Sequence, residues 1–187
     1  MTLRLSPRHN AGRAALAAIS LFAPAGYVPS ALALSSSPTM AHAALADGAG
    51  VSKGSVEIVE KDGGLSVTVK ANGLTPGLHG VHIHTVGQCA APDFASAGGH
   101  WNPTAKHHGA ENPDGAHMGD LPNIEIGADG SGSLTFTVPG ASLGSGDHPL
   151  LDADGAALVV HAGPDDMKTD PSGNSGGRVA CGVIAAH

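Results

Sequence analysis

Gly77-Leu78-His79-Gly80-Val81-His82-Ile83-His84 decides the reading of this chain. Val81 and Ile83 are β-formers, and they alternate with His82 and His84. A two-residue period puts the apolar pair on one face of a strand and the two imidazoles on the other. If Val81 and Ile83 pack on a core, His82 and His84 stand side by side facing out, a half-site for a transition metal. His79 has the parity of Val81 and Ile83, so it is expected to point inward or into the adjoining turn as a hydrogen-bonded structural residue.

Working outward, the composition favours short strands. Aromatic residues make up 3% of the 187 positions and glycine occurs 28 times, which argues against a large helical core and for strands joined by tight turns. Val51–Glu60, then Leu65, Val67 and Val69, are two strands about the hairpin turn Lys61-Asp62-Gly63-Gly64. Alternation returns at Ile124–Ile126, at Leu134, Phe136 and Val138, at Leu158 and Val160, and around Val179, Cys181 and Val183. Val159 and His161 are thereby expected to face outward. Two stretches lack strand periodicity: Thr85–Leu121 and Ala162–Gly177, both polar and rich in glycine. The first is far longer than an ordinary connection, and its ligand-type residues make ordering by metal the better explanation than disorder. The expected fold is all-β: an antiparallel Greek-key β-barrel or sandwich of about eight strands with two long functional loops.

The N-terminus differs in kind. Arg4, Arg8 and Arg13 precede the apolar run Ala14–Ala23, and Pro24, Gly26 and Pro29 interrupt it. A basic start, an apolar middle and a small-residue exit make a secretory signal peptide, and the run falls well short of the ~20 residues of a bilayer span. Ala31-Leu32-Ala33 and Ala41-His42-Ala43 both offer an exit. The second is taken here, giving a leader at 1–43 and a domain at 44–187. The protein is therefore expected to be exported, to a periplasm or beyond, with no stable membrane insertion after processing. Loss of three arginines leaves six basic against sixteen acidic side chains, near −10 with histidine neutral. Without a basic stripe, nucleic acid is excluded as a partner. The even pair Cys89 and Cys181 favours a disulfide in an exported chain. Neither cysteine belongs to a Cys-x-x-Cys pair.

The outward strand histidines His82, His84 and His161 and the loop residues His100, His108, His117 and Asp120 make seven ligand-type groups. Imidazoles held on strands suit copper. Imidazoles with one carboxylate in a closed four-ligand set suit zinc. Seven is one short of two full sets, so two complete sites require one shared imidazole.

With these residues collected, the chain resembles the copper/zinc superoxide dismutases from roughly Val51 to Ile184. The resemblance rests on five motifs in order: residues 77–84 above, Gly-Gly-His-Trp-Asn-Pro at 98–103, His-Met-Gly-Asp-Leu at 117–121, Leu-Val-Val-His at 158–161, and Gly-Asn-Ser-Gly-Gly-Arg-Val-Ala-Cys-Gly-Val at 173–183. It implies that His82, His84, His100 and His161 bind copper, and that His100, His108, His117 and Asp120 bind zinc, with His100 bridging. His107 competes for the place of His108; spacing from His100 and the following Gly109 favour His108. The resemblance further implies that Asp165 orients one imidazole of each set, that Arg178 places its guanidinium beside the copper, and that Cys89 pairs with Cys181. His9, His42, His148 and His187 match no ligand position.

The implied activity is conversion of the superoxide anion to dioxygen and hydrogen peroxide, with His100 and Arg178 as the catalytic side chains and copper and zinc ions as cofactors. The competing expectation is an exported, metallochaperone-like β-sandwich that holds the metals without turnover. A monomer or a homodimer fits either. Ala90–Gly98 is longer, and Pro164–Gly177 shorter, than in the compact cytosolic eukaryotic enzymes, which resembles the bacterial exported branch. Lys168 is the sole lysine of the second loop, so the origin of a field guiding an anion inward stays open.

Overall fold

A computed structural model of the chain describes Thr2 and residues 39–187. The expected leader lies, up to residue 38, outside the described residues. Among the described residues eight antiparallel strands follow one another: β1 (Met40–Ala46), β2 (Ser52–Lys61), β3 (Gly64–Ala71), β4 (Gly77–His84), β5 (Asp120–Ile126), β6 (Gly132–Pro139), β7 (Ala156–His161) and β8 (Arg178–Ala186). They pair in the order β5-β4-β7-β8-β1-β2-β3-β6. The end strands β5 and β6 approach each other, so the sheet curls into a nearly closed barrel. Pairing of β4 with β7, and of β3 with β6, brings non-consecutive strands together, as the expected Greek-key links require. Among the described residues the helical content is one short 3-10 turn, Ala95–Ala97, and no helix is long and apolar enough to cross a membrane.

The interior is filled by the alternating residues read from the sequence: Val56 and Ile58, Leu65, Val67 and Val69, Val81 and Ile83, Ile124 and Ile126, Leu158 and Val160 are all 2% exposed or less. Truncating one such residue, as in Ile83→Ala, removes transfer energy and leaves a cavity, costing about 2–5 kcal/mol.

β1 was not anticipated as a strand. Ala41, Ala43 and Leu45 point into the core while His42 and Ala44 face out, and the strand pairs with both β2 and β8. Alanines are weak β-formers, and the same small residues read as a peptidase exit. The expected exit after Ala43 falls inside this strand, whereas the exit after Ala33 lies upstream of it.

The outward faces of β4 and β7 are not solvent-exposed as the alternation alone suggested. His82, His84 and His161 are at most 3% exposed because loops 85–119 and 162–177 fold over them. Val159, also expected to face out, is buried in a second small cluster with Phe94, Ala97, Ala157 and Cys181. Cys89 and Cys181 are bonded, with Cα atoms 5.8 Å apart across 92 residues, which ties the first loop to β8. Closing so long a loop removes unfolded-state entropy worth about 4–5 kcal/mol in the chain-entropy view.

Candidate metal centre

His82 and His84 reach the centre from β4, and His161 from the end of β7. His100 comes from the first loop, fastened beside His84 by an isolated bridge. These four offer ligand atoms within 4.8 Å of one another. A second group of the same spacing contains His100, His108, His117 and Asp120. The two groups share His100, and every metal-ligating residue expected from the sequence falls in one or both. His107 does not: it is exposed and pairs with Asp170, while His108 is fully buried.

The hydrogen bonds dictate which ring nitrogen is left for a metal. His84 Nδ1–H donates to the Gly98 carbonyl at 2.9 Å, and His161 Nδ1–H to the Gly176 carbonyl at 3.1 Å. His82 and His108 donate from Nε2 to the two oxygens of Asp165, at 2.7 and 3.0 Å. What remains is a set of buried ring nitrogens without a partner: His82 Nδ1, His84 Nε2, His100 Nε2, His108 Nδ1 and His161 Nε2. Five orphaned nitrogens converging on two adjacent points are costly unless something fills them. With the other nitrogen donating, those of His82, His84, His100 and His161 present the lone pair a cation binds, whereas His108 Nδ1 faces Asp120 Oδ1 at 3.1 Å and must give up its proton to bind one. The residues present therefore fit two metals, and Asp165 with the Gly98 and Gly176 carbonyls already holds the rings in orientation.

Electrostatics differ across the shared ring. Burial pushes His84 down to about 2, and it pushes His100 and His161 down to about 4, with neighbouring imidazoles adding to the effect. His108 goes the other way. Burial would depress it, but the Asp120 and Asp165 carboxylates at 3.1 and 3.0 Å overcome burial and raise it to about 9. Burial opposes ionisation of those two acids as well, yet their imidazole and backbone partners hold both well below the usual carboxylate range.

Other residues hold the arrangement together. His79 is buried, as expected, with Nδ1 2.7 Å from the His161 carbonyl, so it fixes the backbone of β7 where that imidazole begins. Asp120 Oδ2 accepts the amides of Gly109 and His117. Asn123 clamps the backbone of Asp165, accepting its N–H at 2.8 Å and donating to its carbonyl at 2.9 Å. Asp170 accepts the amide of His108 at 2.7 Å. Gly173 has φ +62, and a Cβ there would collide with the Asp165 carboxylate. Sequence reading found none of these last three roles. Asn123, Asp170 and Gly173 act across loops, and no local pattern marks them.

Beside the first group opens a cavity of about 360 Å³ lined by His84, His100, His117, His161, Asn102 and Arg178, among others. Arg178 donates to the carbonyls of Phe94 at 2.6 Å and Gly98 at 2.7 Å. The Gly98 carbonyl thus receives both Arg178 and His84. Lys168 faces Glu111 at 3.9 Å on the surface instead, so Arg178 is the permanent side-chain cation among the residues lining this cavity.

Comparison with known proteins agrees with this geometry. The family described as copper/zinc superoxide dismutase (SODC) matches residues 52–184. Superoxide dismutase-like protein YojM of Bacillus subtilis is 44% identical over 88% of this chain and 85% of its own length. A copper–zinc superoxide dismutase of Caulobacter vibrioides is 49% identical over 73% of this chain and 80% of its own. Among solved structures, a double mutant of a SOD-like protein from Bacillus subtilis, with two introduced histidines, superposes with a TM-score of 0.72 at 48% identity, covering 75% of this chain and 94% of that one. Copper and zinc are the metals this family uses, and both histidine groups can receive them. The match runs from β2 into β8 and takes in both loops, and with the shared-histidine geometry it makes the chain a member of the copper/zinc superoxide dismutase family.

Proposed function

We propose that this chain is a superoxide dismutase, converting two superoxide anions and two protons to dioxygen and hydrogen peroxide. The observation that carries the reading is the convergence of five buried, partnerless ring nitrogens on two points joined by His100. His82 through Nδ1 and His84, His100 and His161 through Nε2 would hold copper. His108 and His117 through Nδ1, Asp120 through Oδ1 and the far nitrogen of His100 would hold zinc. When bound, copper supplies one-electron redox cycling, and zinc supplies a fixed charge that holds His100 and tunes its basicity.

The remaining work belongs to side chains. Arg178 gives an anion entering the cavity its positive partner, with its guanidinium held in place by the Phe94 and Gly98 carbonyls. A cleft focuses that charge more strongly than distant surface acids oppose it. His100 takes and returns a proton at Nε2, the ring nitrogen its hydrogen bond to Asp120 leaves free, and solvent provides the second proton. Asp165 keeps His82 and His108 in fixed tautomers, so neither competes for that proton.

The name of the Bacillus relative, a superoxide dismutase-like protein, keeps a second reading in view: a non-catalytic holder of copper and zinc. The full histidine set and Arg178 favour turnover. Purified protein carrying copper and zinc should consume superoxide, and the same protein carrying zinc alone should not. Tight copper binding without turnover would select the holder instead.

The leader at the N-terminus, together with the Cys89–Cys181 bond, supports export to an oxidising compartment such as a periplasm. Processing after Ala33 keeps β1 whole and preserves the burial of Ala41 and Ala43, so we place the exit there rather than after Ala43. One chain supplies every residue of the centre, so the protein acts as a monomer or as a homodimer of complete sites. The intact mass of the exported protein, denatured and native, reads both points.

A further inference from the structure

Outside the central clusters, two histidines meet on the outer face of the barrel. The rings of His42 on β1 and His187, just past β8, stand 5.4 Å apart between centroids at 89°. His100 and His117, two members of the loop-borne cluster, show the same spacing and the same angle. β1 lies between β2 and β8, so His42 is paired across one side with Glu57 and across the other with the small Ala185. The His187 amide donates to the Met40 carbonyl at 3.0 Å, which fastens the second ring beside the first. His42, Glu57 and His187 line one open groove of about 380 Å³, with Ser55 and Met40 at its margin.

We propose that His42, His187 and Glu57 form a third metal site, one that takes a single divalent transition cation of the zinc or cupric class. Two imidazoles and a carboxylate suit such ions and leave positions for water. The three donor groups do not close to the 4.8 Å spacing of the central clusters, so occupation draws exposed side chains together by rotamer change. That ordering costs side-chain entropy and makes the site weaker than the two buried sites. β8 runs from Arg178 to Ala186, which puts the groove about 30 Å along the strand from the cavity. The site is thus independent of turnover, a place to hold metal on the outside of the barrel. It exists only in a mature chain that keeps His42, and so it shares the placement of the processing site upstream of β1.

The test uses protein carrying one copper and one zinc, whose intact mass shows Met40 retained. Titration with Zn²⁺ by calorimetry should reveal one further equivalent. Cu²⁺ added to the same sample should give a new electron paramagnetic resonance signal with coupling to two nitrogens. His42→Gln and His187→Gln should each weaken the added equivalent at least tenfold, and Glu57→Gln a few-fold. None of them should change superoxide consumption or the central metal content. Absence of a further equivalent, or an equivalent undiminished in the His42→Gln, His187→Gln double variant, overturns the proposal. A mature protein that begins after His42 overturns it as well, while leaving the dismutase reading intact.

Discussion

The two halves of the metal centre are built on opposite plans. His82, His84 and His161 stand on strands whose other face is the barrel core, and no carboxylate belongs to their group. His108, His117 and Asp120 lie in or at the end of a long loop, and two acids sit among them. Burial drives His84 and His161 toward the neutral form, whereas the acids hold a proton on His108. Without metal, the strand-borne half is a preformed nest of lone pairs on a rigid frame. The loop-borne half is an ion-paired cluster, one imidazolium between two carboxylates, that keeps its own place partly by that pairing. A metal entering the first half displaces no proton from His84 or His161 at neutral pH; one entering the second must displace the proton of His108.

Removing metal should expose this difference most strongly. Chelation is expected to lower Tm by about 10 °C or more, since ligand at a thousandfold its Kd stabilises by about 4 kcal/mol and each kcal/mol moves Tm by about 2–4 °C at this size. The loss should be uneven. Hydrogen exchange should quicken in loops 85–119 and 162–177 while amides of β2 and β3 keep their protection. Equal loss in loops and strands would break the distinction between a rigid half and a metal-ordered half.

Acid should separate the halves next. His84, His100 and His161 have folded values far below their ordinary 6.5. Below pH 6.5 the unfolded chain therefore binds more protons than the folded one, and stability falls with pH until about 4, where His100 and His161 protonate in place. His108, raised to about 9, has the opposite sign: its contribution is complete below 6.5 and is lost as pH rises through 9. The metal-free protein should be most stable near pH 6.5, with a steeper decline on the acid side. Each proton of difference over two pH units amounts to about 2.7 kcal/mol, and up to three imidazoles contribute, so Tm should drop by at least about 5–10 °C between pH 6.5 and 4.5. A flat profile across that range would remove the strand-borne imidazoles as the cause.

Asp165 ties the two halves together directly, bonding His82 of one and His108 of the other. Asp165→Asn keeps the size but leaves one imidazole without its acceptor. Competition titrations should show zinc affinity reduced about 10–100-fold, with a smaller loss for copper. Gly173→Ala should imitate this by pushing a methyl group into the carboxylate. Equal metal affinities in the wild type and both variants would mean that Asp165 does not orient the rings.

How far the sequence disclosed all this follows the same divide. The strand-borne half is legible because a period of two converts position directly into direction, so Val81 and Ile83 announce where His82 and His84 point. The burial of those imidazoles is not legible, because it depends on loops whose path no periodicity records. β1 escaped because alanine alternation looks like a processing signal. The clamp of Asn123 on Asp165 spans 42 residues, and the hold of Asp170 on His108 spans 62; neither leaves a trace in local pattern. The five motifs named the candidate ligands by resemblance, while the choice of ring nitrogen had to await the hydrogen bonds.

The smallest expected effect concerns Arg178, which belongs to the strand-borne side through the carbonyl it shares with His84. Two contributions are mixed in this residue: a charge at the cavity and a brace on the Gly98 carbonyl. Arg178→Ala removes both and should lower the superoxide rate about tenfold, a loss of roughly 1.4 kcal/mol of transition-state stabilisation. The salt dependence of the rate should flatten, with copper and zinc still bound. Arg178→Lys restores the charge without the planar fork. It should recover the salt dependence but only part of the rate, because one ammonium cannot brace the Phe94 and Gly98 carbonyls together. If the lysine variant matched the wild type in both, the brace would be irrelevant and attraction of the anion would be the whole role. If the alanine variant kept both rate and salt slope, Arg178 would have no part in the chemistry, and the field guiding the anion would have to come from the metals alone.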